Sequence, residues 1–203
     1  DCFSRSMFPV GGFHKAEIRD MAAKMGFHEL ANKPESYEIC FIPDNDYRSF
    51  LRRQRGDLVE QLAGGNFVDK KGKVLGKHKG YPFYTIGQRK GLEIALGEPV
   101  YVVDIQPKTN TVVLGTSDDL QSQDMWVEKV NLIKYAALEE PTEAVTRIRY
   151  KDKGTSGIIR SVGENVKVTF HAPVSAVTPG QSAVFYENDD VIGGGFISKD
   201  PLG

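Results

Sequence analysis

Between Trp126 and Ile197 the sequence runs through six short stretches of β-type composition, and this succession constrains the fold more than anything else in the chain. The stretches are Trp126 to Ile133, Glu143 to Lys151, Ser156 to Val162, Asn165 to Phe170, Ser182 to Tyr186 and Val191 to Ile197. Turn residues such as Pro141, Gly154, Gly163, Pro179 and Gly180 separate them, and none shows helical periodicity. Short strands leave edges that must be paired or covered, and closing six of them into a barrel removes the edges. A six-stranded β-barrel is expected over residues 121–203.

Upstream the pattern changes twice. From about Gly64, Phe67-Val68 and Val74-Leu75 flank the turn-rich Asp69 to Lys73, and Val100 to Ile105 and Thr111 to Leu114 flank Gln106 to Asn110. Each pair reads as a hairpin. A helix is expected near Asp46, whose side chain can cap it, with Tyr47, Phe50 and Leu51 towards a core and Arg48, Arg52 and Arg53 outward. Further upstream, Ile18, Met21, Ala22 and Met25 recur at helical spacing from Lys15, and Gly26 follows where a left-handed cap would stop the helix. Leu30 to Pro43, with Pro34 and Pro43 around Ile39-Cys40-Phe41-Ile42, reads as a short strand or a packed loop. The fold class is thus mostly β with a short α-helical N-terminal part. A small α/β central domain over residues 44–120 precedes the barrel, and residues 1–43 read as the end of a helical domain.

With 40% hydrophobic and 26% charged residues, the 203-residue chain has the balance of a globular protein. It begins with Asp1, which suggests a piece of something longer. No apolar run approaches the roughly 18 residues of a membrane span, and Asp1 to Arg5 lacks a signal-peptide layout, so a soluble, cytoplasmic protein is expected. Two cysteines cannot make a disulfide framework, and His14, His28, His78 and His171 are scattered, so no metal is expected.

The net charge of −1 gives no global attraction to nucleic acid, but the charges are unevenly spread. Between Asp69 and Lys90 lie Lys70, Lys71, Lys73, Lys77, Lys79, Arg89 and Lys90, a basic patch or a solvated face. Arg147, Arg149, Lys151 and Lys153 are spaced by two on an expected strand. That places four cations on one face, with Ile148 and Tyr150 on the other. Such a stripe can follow phosphates while Tyr150 stacks on an unpaired base, or it can be an ordinary solvated barrel face. The run Gly193-Gly194-Gly195 lacks the lysine and following helix of a phosphate loop, and reads as a bulge or a close approach of backbones. Cys40 is either a sulfur carrier or an inert buried thiol: Lys33 favours the thiolate, Glu38 opposes it, and the apolar flanks suit burial. Cys2 earns no role of its own.

Lys33, Ser36, Glu38, Ile39, Cys40 and Phe41 resemble the cysteine segment of the tRNA-specific 2-thiouridylases, the MnmA/TrmU family. The resemblance extends along nearly the whole chain. Met7 to Gly11 with Lys15 and Arg19 is similar to the segment before the family's last catalytic-domain helix. Gly76 to Gly80 followed by Tyr84 to Leu92 resembles its central-domain motif. Tyr101 to Asp104, Arg149-Tyr150, Ala176 to Tyr186 and Gly193 to Gly195 follow in order. Two positions depart: Tyr37 stands where the family usually has glutamine, and Glu93 where it often has glycine.

The resemblance implies sulfur insertion at C2 of the wobble uridine in tRNAs for Lys, Glu and Gln. It implies an N-terminal ATP-pyrophosphatase domain, absent from this chain, that binds ATP with Mg and adenylates the uridine oxygen. The chain alone is then expected to be inactive and to bind no cofactor. The catalytic residue implied is Cys40, carrying a persulfide supplied by a sulfur-relay protein or a cysteine desulfurase. A second cysteine outside this chain ends disulfide-bonded to it; Cys2 does not match that cysteine. The tRNA-binding residues implied are Arg149, Tyr150 and Gln181, with Arg147, Lys151 and Lys153 as weaker candidates. Two other classes remain open on the residues: a stand-alone RNA-binding barrel with a structural cysteine, and a thiol redox protein using Cys2 and Cys40 without a Cys-x-x-Cys pair.

Overall fold

The computed structural model describes residues 5–33, 42, 46–94, 97–150 and 152–200. The chain divides into two compact units, Asp1–Phe50 and Leu51–Gly203. In the first, α1 spans Lys15–Lys24. The Glu17 carboxylate accepts the His14 N–H at 2.7 Å, satisfying one of the donors that a helix start leaves free. At the other end Gly26 takes φ 86°, the Gly26 N–H donates to Ala23 O and the Phe27 N–H donates to Ala22 O, the paired bonds of a Schellman stop. A short helix α2, His28–Asn32, follows. The expected apolar stripe of α1 is present but thinly covered, since Ile18 and Ala22 are half-buried while Met25 is 73% exposed.

Helix α3, Tyr47–Leu62, starts where Asp46 accepts the Ser49 N–H at 3.0 Å, as a capping side chain should. It kinks at Arg55 (φ −144°, ψ 54°). Leu51 and Val59 pack against the core of the following sheet, and Arg52 lies 5.9 Å from the centre of the Phe83 ring. The expectation for the first turn fails: Tyr47 is exposed and Arg48 is half-buried. The helix residues packed on the sheet core are Leu51 and Val59.

Both expected hairpins form. β1 (Gly65–Val68) pairs antiparallel with β2 (Val74–His78), and the Asp69 carboxylate holds their turn by accepting the Lys71 and Lys73 N–H groups at 2.9 Å. β3 (Tyr101–Gln106) pairs antiparallel with β4 (Thr111–Gly115), and a parallel β1–β4 contact joins the hairpins in the order β2-β1-β4-β3. Phe67, Val102 and Val112 are fully buried in its core. His78, scattered in sequence, belongs to this core as well. It packs edge-on to Phe67, its Nδ1 accepts the Gly80 N–H, and burial pushes its pKa down, so it is held neutral.

Six antiparallel strands then close into a barrel: β5 (Gln121–Leu132), β6 (Thr142–Arg147), β7 (Thr155–Val162), β8 (Asn165–Ser175), β9 (Ser182–Glu187) and β10 (Asp190–Ser198). Their order around the ring is β10-β5-β8-β7-β6-β9. Met125, Val127, Ile148, Ile159, Val168, Phe170, Phe185 and Ile197 fill the interior. β5 and β8 run longer than their composition suggests because their ends pair with each other, Gln121 with Ser175. β6 is shorter, ending at Arg147.

The glycine run acts as a close approach of backbones and as a bulge. A Cβ on Gly193, Gly194 or Gly195 would lie 2.5 Å from the carbonyl oxygen of Asn131, Ala183 or Glu128 respectively, and the β10 register shifts against both neighbours here. Backbone cannot yield as a flexible side chain does. Gly194→Ala should therefore cost about 1–3 kcal/mol. Urea unfolding followed by the single tryptophan, Trp126 on β5, would show it as a lower midpoint; an unchanged midpoint would refute so tight an approach.

Candidate nucleic-acid interface

Beyond Arg147 the chain leaves β6 and folds into a turn, which corrects the expected continuous stripe. The Asp152 N–H donates to Arg149 O at 3.1 Å, closing the turn and putting Tyr150 at its apex. Tyr150 is 89% exposed, whereas Ile148 is buried in the barrel, so these two do not share a face. Alternation applies only along a strand, and the strand has ended. Lys151 lies outside the described residues. Lys153 is exposed.

The turn is braced from within. One Asp152 oxygen accepts the Ile148 N–H on the way in, and the other accepts the Gly154 N–H on the way out, both at 3.0 Å. Gly154 has φ +87°, a region that suits glycine. The Arg149 guanidinium spends one N–H on Ser175 O at 2.9 Å; the side chain is otherwise exposed. Arg147 stacks over the Tyr186 ring at 4.6 Å to its centre.

Opposite this turn stands a second one. Thr178-Pro179-Gly180-Gln181 closes through the Gln181 N–H on Thr178 O, with proline and a positive-φ glycine at its two central positions. Further bonds to Ile197 fix it to β10: the Gly180 N–H donates to Ile197 O, and the Ile197 N–H donates to Gln181 O. Between the two turns lies an open groove of about 600 Å³ whose walls include Arg147, Arg149, Tyr150, Gln181 and Tyr186. Four of the residues singled out in the sequence are thus brought to one place although 34 positions separate the first from the last. Tyr186 and Asp152 were missed. Asp-x-Gly at 152–154 is a turn signature that marks Asp152. Tyr186 had no local signal, because it meets Arg147 only through the β6–β9 pairing.

This surface suits a phosphate chain with unpaired bases. It offers exposed cations and an exposed ring, no carboxylate is among its lining residues, and Asp152 in the adjoining turn is already engaged with two backbone N–H groups. The basic segment near residue 80 is different. Lys70 lies 2.6 Å from Asp119, and that lysine together with Thr116 holds the Asp119 carboxyl down to about 2; Lys79 lies 2.6 Å from Glu93. Glu93 has φ 58°, which explains why a glycine suits that position.

Cys2, Tyr37, Glu38 and Cys40 lie outside the described residues. Among the described residues no cluster of three or more His, Cys, Asp or Glu could hold a metal, and no helix is long and apolar enough to cross a membrane. The space in front of Gly193 to Gly195 is taken by carbonyl oxygens of neighbouring strands, which occupy it and repel anions.

Three family models tile the chain: a tRNA methyl transferase HUP domain over residues 1–44, a tRNA methyl transferase PRC-barrel domain over 49–116, and an aminomethyltransferase beta-barrel domain over 122–197. Proteins named tRNA-specific 2-thiouridylase MnmA match it end to end. That of Cytophaga hutchinsonii is 55% identical over 97% of this chain and 54% of its own length. The chain belongs to the tRNA-specific 2-thiouridylase family. The relatives from Amoebophilus asiaticus and Salinibacter ruber, 54% and 51% identical, are covered over 53% and 51% of their lengths. The chain thus spans about half the length of the curated 2-thiouridylases it matches. In the terms of that family, the groove walled by Arg149, Tyr150 and Gln181 falls within the beta-barrel match, and Cys40 within the HUP match.

Proposed function

We propose that this chain is the cysteine-bearing, tRNA-holding part of an enzyme that inserts sulfur at C2 of the wobble uridine in tRNAs for Lys, Glu and Gln. The observation that carries the reading is the gathering of Arg147, Arg149, Tyr150 and Gln181 around one groove on the barrel, in a chain 55% identical to a protein named tRNA-specific 2-thiouridylase. Residues 121–203 hold the tRNA, 44–120 form the central domain, and 1–43 complete the catalytic domain. Apolar exposure supports the last assignment: Met7, Phe8, Val10, Phe13, Met25, Phe27 and Leu30 are each half or more exposed, as expected of residues that another part of a domain would cover.

In this reading Cys40 carries a persulfide received from a cysteine desulfurase or a sulfur-relay protein. Its outer sulfur bonds to the activated uridine C2 as the oxygen departs. A second cysteine thiolate then attacks the Cys40 sulfur, leaving a disulfide between the cysteines and a thiocarbonyl on the uridine. Activation by ATP belongs, in this reading, to residues outside this chain. The reaction fits a cytoplasmic enzyme.

The matched domain descriptions name methyl transfer, whereas the relatives are named for thiolation, and the product separates the two. In cells lacking the gene, the full-length protein should restore 2-thiouridine, detected by mass spectrometry of digested tRNA. Restoration of a methylated uridine instead, or of neither nucleoside, would overturn the proposal.

A further inference from the structure

We infer that Asp152 is a positioning residue for tRNA: its carboxylate preorganises the turn that presents Arg149 and Tyr150. The inference rests on the tRNA reading of the groove and deepens it. A carboxylate beside a phosphate-binding surface works against binding by charge alone. Its place is explained by its bonds. The Oδ2 atom accepts the Ile148 N–H and Oδ1 accepts the Gly154 N–H, so a single side chain joins the last barrel-facing residue before the turn to the glycine that leads into β7. Between those anchors Arg149 and Tyr150 are carried on backbone outside the strand ladder. The closing bond from the Asp152 N–H to Arg149 O comes from the same residue.

Without the carboxylate, two N–H groups lose their partners and the turn loses its brace. The ring of Tyr150, 89% exposed, gains no support from packing, so its direction depends on the backbone beneath it. Ordering that backbone would then be charged against binding, as for any site that is not preorganised. Arg147 is held differently, by the ring of Tyr186, and should be indifferent to Asp152.

The sign of the effect separates positioning from charge. Asp152→Ala and Asp152→Asn remove the same negative charge, but asparagine keeps one carbonyl oxygen that can accept one of the two N–H groups. Charge alone predicts that both variants bind tRNA more tightly and equally. Positioning predicts weaker binding, by about 5- to 20-fold for Asp152→Ala, with Asp152→Asn between it and the unsubstituted chain. The measurement is fluorescence anisotropy of an unmodified lysine tRNA titrated with the 203-residue chain, with Trp126 fluorescence to establish that the barrel is folded. If Asp152→Ala fails to fold, the Asn variant carries the test. Equal affinities of the two variants, or tighter binding by Asp152→Asn, would overturn the inference while Arg149→Ala still weakens binding. Should Arg149→Ala and Tyr150→Ala also bind normally, the tRNA reading of the groove falls first and the role of Asp152 with it.

Discussion

Cys40→Ser in the full-length protein should reduce 2-thiouridine in tRNA to background while leaving tRNA binding within about twofold of the unsubstituted protein. The physical ground is the chemistry of the sulfur atom. A serine hydroxyl cannot hold a sulfane sulfur, because transfer requires a sulfur–sulfur bond that a thiolate can cleave. Volume changes little, and retained tRNA binding separates lost sulfur chemistry from a collapsed fold. The binding arm of the prediction follows from the groove, whose Arg149, Tyr150 and Gln181 are far from Cys40 in sequence and lie on the barrel. Digested tRNA analysed by mass spectrometry reads the first outcome, and a filter or anisotropy titration reads the second. Normal thiolation by the serine variant would remove Cys40 from the mechanism. Lost thiolation together with lost binding would place Cys40 at the tRNA surface instead.

Much of the architecture was legible because it rests on short-range physics. The stop of α1 at Gly26, the Asp46 cap of α3 and the two hairpins are each decided by a few neighbouring residues. The barrel was legible as a number of strands, and the glycine run as a place where backbones meet. What escaped depends on contacts between distant segments. The parallel β1–β4 pairing that joins the hairpins has no local signature, nor does the stacking of Arg147 on Tyr186 across two strands. The stripe was misread for a related reason. A two-residue period locates a face only while the strand lasts, and the Asp152 side chain, competing for the Ile148 and Gly154 N–H groups, replaces the ladder with a turn. Two of the four cations, Arg147 and Arg149, nevertheless line one groove.

That replacement sharpens what the groove should do when its residues are removed. The double variant Arg149→Ala, Tyr150→Ala should bind tRNA roughly 30- to 1,000-fold more weakly, combining one lost phosphate contact with a lost base stack of about 1–3 kcal/mol. The two halves separate on a plot of log affinity against log salt. Arg149→Ala should reduce the steepness by about 0.7 to 0.9, because one fewer phosphate is neutralised and its counterion is not released. Tyr150→Ala should lower the whole line without changing its slope, since stacking of a neutral ring displaces no counterion. The apex position of Tyr150 makes the second expectation demanding: with its ring 89% exposed it supports no barrel packing, so a loss of affinity on its removal reports contact with RNA and not a loosened fold. Arg149 needs one control, because its bond to Ser175 O ties the turn to the end of β8. Arg149→Lys keeps the charge but loses the forked guanidinium. Near-normal slope with weaker affinity in that variant would show that Arg149 serves as a charge for the phosphate and, through its fixed donors, as a tether for the turn. A slope unchanged in Arg149→Ala would mean that the residue holds the turn and touches no phosphate.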